Sequence, residues 1–78
     1  MNRGPFVELT VALYRQGIKH TTAAKAIGIN AATFQRRLAG KSPWTLPEMY
    51  GLSNLLNFTT KEWGKMFPNI YKEDLHNG

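Results

Sequence analysis

The chain of 78 residues has no cysteine. That excludes disulfides, thiolate zinc sites and a cysteine nucleophile, together with the cross-linked framework of a small secreted domain; a cytoplasmic setting is the expectation. Long hydrophobic runs are also missing. The longest, such as residues 11–14, extend over only a few positions, far short of the roughly 20 residues a membrane helix needs, and no signal peptide is recognisable. Histidine is confined to His20 and His76, with no cluster of metal ligands beside either, so no metal site is expected. The five acidic residues are scattered, with no paired-carboxylate arrangement, and neither a nucleophile motif nor a glycine-rich phosphate loop is found. No cofactor is expected, and the chain is expected not to be an enzyme.

What the chain does contain points to one small folded domain. Apolar residues make up 42%, including two Trp, three Tyr and four Phe, enough for a single core and above the level of a disordered tail. Charge is unevenly placed. Residues 1–41 carry Arg3, Arg15, Lys19, Lys25, Arg36, Arg37 and Lys41 against Glu8 alone, a net +6, while residues 42–78 carry three basic and four acidic side chains, a net −1. A polyanion such as nucleic acid would be drawn to the first half, although by charge alone a merely solvated basic face fits equally well.

Glycine and proline divide the chain into short helical units. Phe6, Leu9 and Leu13 follow helical spacing after Pro5, which suits a first helical position, and Gly17 supplies a stop. Residues 21–27 are alanine-rich, with threonines available as caps, and Gly28 closes that unit. Asn30 can cap a third helix in which Phe34 and Leu38 share a face and Gly40 ends the run. Thr45 and Glu48 form a capping box with Pro47 inside the first turn, opening a helix that carries Leu46, Met49, Tyr50, Leu52, Leu55 and Leu56. Thr59 and Glu62 repeat the device before Trp63, Met66 and Phe67. No run alternates as a strand should, so the expected fold is all-α, a compact five-helix domain over residues 1–67 with an extension or tail over 68–78. Trp44, Tyr50, Phe58 and Trp63 are expected in the core rather than stacked on single-stranded bases.

The most informative stretch is GIKHTTAAKAIGINAATFQRRLAGK, residues 17–41. Two short helices meeting at a steep angle need a small residue at their closest approach, a glycine in the turn and apolar side chains to clamp them. Ala24, Gly28 and the set Ala23, Ile27, Ile29 and Phe34 meet these requirements, and the motif is placed at about residues 19–40. The order Gly17-Ile18, Ala24, Gly28-Ile29-Asn30, Thr33-Phe34, Gly40-Lys41, Pro43 resembles the lambda-repressor-like or Xre-type helix-turn-helix regulators. Residues 38–67 look especially like small phage Cro-like proteins. The resemblance covers roughly residues 5–67 and implies a supporting helix opening near His20 and a recognition helix over residues 31–39. Two positions depart from the family pattern, which often has glutamine at His20 and a bulky apolar residue at Arg37.

A helical projection independent of the family puts Phe34 and Leu38 on the buried face and Arg36 about 200° from Phe34. Arg36 is then the first candidate for reading bases, followed by Gln35, Ala31 and Ala32: arginine pairs with guanine, glutamine with adenine, and alanine methyls touch thymine. Asn30 and Thr33 suit phosphate at a helix N-terminus, Asn30 being equally suited to act only as a cap. His20, Lys19, Arg37 and Lys41 flank the motif as backbone contacts, with Leu38 packing and the Arg37 guanidinium turned toward solvent or phosphate. A homodimer on a roughly palindromic operator is expected, its tentative interface being Trp63, Met66, Phe67, Ile70 and Tyr71, which alternatively just close the core. The reading is thus a sequence-specific, Cro-like repressor of double-stranded DNA. The rival is a protein-interaction module that modulates a repressor, toxin or polymerase without an operator of its own.

Overall fold

Leu9 and Leu13 one turn apart on a helix, Phe34 and Leu38 on another, and Met49, Leu52 and Leu56 on a third all point into one core. The computed structural model describes residues 5–68. Every regular element among them is helical: α1 (Val7–Arg15), α2 (His20–Ala26), α3 (Ala31–Leu38), α4 (Leu46–Leu56), a single 3-10 turn (Thr60–Glu62) and α5 (Trp63–Met66). The expected all-α domain is therefore present in its coarse form. None of these helices is long and apolar enough to cross a membrane.

The helix ends follow from local chemistry. Gly17, Gly28 and Gly40 all adopt positive φ, between 67° and 82°, the backbone conformation glycine tolerates best. Behind each, the next residue's N–H reaches back five positions: Ile18 to Leu13 O, Ile29 to Ala24 O and Lys41 to Arg36 O. This is the Schellman closure, which satisfies carbonyls left free at a helix end. Asn57 closes α4 in the same way at φ 63°, with Phe58 N–H donating to Ser53 O.

The two Thr-x-x-Glu signals have different outcomes. At Thr45 the capping box forms, with Thr45 N–H donating to Glu48 Oε1 at 3.1 Å and Glu48 N–H to Thr45 Oγ1 at 3.4 Å. At Thr59 no side-chain cap bond exists, and the segment begins as a 3-10 turn, so the second capping box is corrected. The 3-10 turn donates backbone to backbone instead, Glu62 N–H to Thr59 O. Two other starts are also revised: α1 opens at Val7, beyond Pro5, and α2 opens at His20 with no threonine cap.

Aromatic rings form a connected cluster within the core. Phe6, Phe34, Trp44, Phe58, Trp63 and Phe67 meet mostly edge to face with centroids 5.6–6.4 Å apart, arrangements that add to the burial energy of each ring. Tyr50 is an exception to the expectation, at 53% exposed: it lies on the outer side of α4, where its ring meets that of Trp63. Polar ties close the layer: Gln16 Nε2 donates to Leu56 O at 2.9 Å, and the Trp63 indole donates to Ser53 Oγ at 2.8 Å. Gly51 was not singled out in the sequence, yet a Cβ there would sit 2.8 Å from Ile27 Cγ2. The close approach of α4 to the end of α2 requires its absence.

Candidate nucleic-acid interface

The α2–turn–α3 unit is built as its sequence demands. Ala23, Ala24 and Phe34 are buried between the helices, Ile27 and Ile29 pack beside them, and Gly28 turns the chain at φ 82°. Asn30 caps α3, its side-chain oxygen accepting from Thr33 N–H at 2.8 Å. With Phe34 and Leu38 holding the inner side, α3 presents Ala32, Gln35 and Arg36 to solvent, while Ala31 and Thr33 are half-buried. Lys19, Asn30 and Lys41 are exposed, and His20 is half-buried.

One contact joins the start of α2 to the outer side of α3: Gln35 Nε2 lies 2.7 Å from His20 Nδ1. The His20 ring also rests against Phe34, centroids 5.6 Å apart. His20 and the preceding Lys19 are thereby placed beside the exposed face of α3.

Arg37 is a correction. Its guanidinium is not turned out to solvent: Nε lies 3.0 Å from Glu48 Oε1, with the two side chains only 16% and 9% exposed, and Nη1 donates to Pro43 O. The Nε–H is not aligned on the carboxylate as a hydrogen bond, so charge rather than a directed bond holds the pair. The cause is Glu48. Once the Thr45 box draws its carboxylate inward, a buried charge without a partner would be costly, and Arg37, in the last turn of α3, supplies the partner. This second task of Glu48 left no trace in a motif that reads fully as a cap.

The proposed dimer residues are divided. Met66 and Phe67 are buried in the core at 8% and 0% exposed, so closing the core is what they do, and they are withdrawn as interface candidates. Trp63 is half-buried and hydrogen-bonded inward. Ile70 and Tyr71 lie outside the described residues. Among the described residues, the large apolar side chains left exposed are instead Leu46 and Tyr50 on α4, with Val7 and Tyr14 on α1. Among the described residues no group of three or more potential metal ligands comes together. No family model, curated protein or solved structure matches the chain.

Proposed function

We propose that the chain is a sequence-specific double-stranded DNA-binding regulator, with α2–turn–α3 acting as a helix-turn-helix and α3 as its reading helix. The observation that carries this reading is the pairing of a fully buried Phe34 with an exposed Gln35 beside it and an exposed Arg36 on the far side of the helix. That arrangement holds a short helix rigidly while leaving its outer face free for a major groove, whose width admits one helix. The surrounding field agrees, since the half of the sequence containing α3 carries the +6 charge. Arg36, Gln35, Ala32 and Ala31 take the base-reading role, and Lys19, His20, Asn30, Thr33 and Lys41 the phosphate role. Arg37 holds α3 to α4 and leaves the contact set.

A single short helix discriminates weakly, with about 1–3 kcal/mol available per good base contact. Two copies about 34 Å apart on a roughly palindromic operator would multiply that. The resemblance to Cro-like proteins makes repression by promoter occupancy the working role, without catalysis. The test is binding to duplex DNA across a salt series. A slope of log affinity on log salt of several units is expected from multiple phosphate contacts, and a slope near zero would remove the reading.

One observation favours the rival. Leu46 and Tyr50, one turn apart on α4, are 58% and 53% exposed and offer apolar contact to a protein partner. Their replacement by serine should leave DNA binding intact if DNA is the partner of α3, and abolish a protein interaction if that is the function.

A further inference from the structure

We propose that His20 fixes the orientation of the Gln35 amide and so makes Gln35 a reader of adenine against guanine, an inference that rests on the DNA reading above. The final torsion of a glutamine side chain is broad and roughly two-fold, so an untethered amide presents its carbonyl and amino groups in either order. At Gln35 the amino group lies 2.7 Å from His20 Nδ1. Turning the amide over would set Oε1 against the same nitrogen and would require the other ring tautomer, with the hydrogen on Nδ1. The acceptor is itself anchored, because the His20 ring rests on Phe34, which is fully buried. With Nδ1 accepting, the neutral imidazole carries its hydrogen on Nε2.

The held amide then has one acceptor, Oε1, and one remaining N–H to offer a base. In the major groove adenine presents a donor and an acceptor, N6–H and N7, whereas guanine presents two acceptors, O6 and N7. A glutamine with both N–H groups free can donate to each guanine acceptor. With one committed to His20, guanine can accept a single N–H, whereas adenine engages both Oε1 and the remaining N–H. His20 is thus a positioning residue whose effect appears as base preference at one operator position.

Two measurements on the full chain test this. Nitrogen-15 NMR of the free protein should show the neutral His20 ring protonated on Nε2; protonation on Nδ1 overturns the proposal whatever the protein binds. Selection from a randomised duplex pool should give an adenine-rich position for the wild-type protein. His20→Ala should lower the adenine-to-guanine preference there about 5- to 10-fold, within the range one bidentate contact supplies, while other positions keep theirs. Gln35→Ala should erase the preference, and adding His20→Ala to it should change nothing further. Loss of a phosphate contact by His20 lowers affinity for all sequences alike; if His20→Ala leaves the adenine-to-guanine ratio at that position unchanged, the inference fails while the DNA reading stands. If the wild-type protein binds no duplex DNA at all, both fail.

Discussion

The α2–turn–α3 unit and the region from Trp44 to Phe67 are close in length but differ in how they use their side chains. The first buries little beyond Ala23, Ala24, Phe34 and Leu38 and leaves its outer side polar or cationic. The second supplies Trp44, Met49, Leu52, Leu56, Phe58, Met66 and Phe67 to the core. A two-helix unit with so few buried side chains cannot hold its own shape, so the aromatic half acts as the foundation against which α3 is held. Arg36 and Arg37 mark the boundary between these tasks: adjacent in sequence, one faces solvent and the other is drawn into an ion pair with α4.

Substitutions that remove the foundation should have the largest effects. Phe34→Ala deletes the ring that links both halves, and chemical denaturation should show a loss of about 3–5 kcal/mol, enough to unfold much of the population. Next comes the ion pair. Glu48→Ala strands Arg37 near the core and removes half of the capping box; a loss of about 2–3 kcal/mol is expected, below the range for fully buried pairs because these side chains keep some solvent. Arg36→Ala should change thermal stability little yet weaken DNA binding, mainly at one base position. Equal stability losses for Arg36→Ala and Arg37→Ala would erase the proposed division.

The smallest effects separate the two Thr-x-x-Glu signals. Thr45→Ala should cost about 1 kcal/mol through loss of a formed cap, whereas Thr59→Ala should stay within about 0.5 kcal/mol, as a surface change without a cap to lose. Matching values measured by urea unfolding would show that a cap forms at Thr59 after all.

Much of the fold was legible because it depends on local spacing. Glycine after each of the first three helices, Asn30 and Thr45 as caps, and the Phe34–Leu38 stripe act within a few residues of themselves. The inward turn of Arg37 depended on a carboxylate 11 positions ahead in the sequence, and no local rule brings the two together. The Thr59 signal was misread because a Thr-x-x-Glu spacing permits a box without enforcing one, and here backbone donation within a 3-10 turn takes its place. Gly51 carried a readable sign, since a glycine inside an apolar helix usually has a packing reason; only the fold reveals that the reason is Ile27. In the candidate site, the exposure of Gln35 and Arg36 followed from the helical projection, but the bond from Gln35 to His20 required the angle between α2 and α3.

The most direct test of the central claim is an NMR titration of the labelled protein with duplex DNA, following backbone and side-chain amides. The account predicts shifts concentrated at Lys19, His20 and residues 30–41, with the Gln35 side-chain amide and the Arg36 guanidinium among the largest. Shifts confined to Leu46, Tyr50 and their neighbours on α4, or none at any DNA concentration, would contradict it.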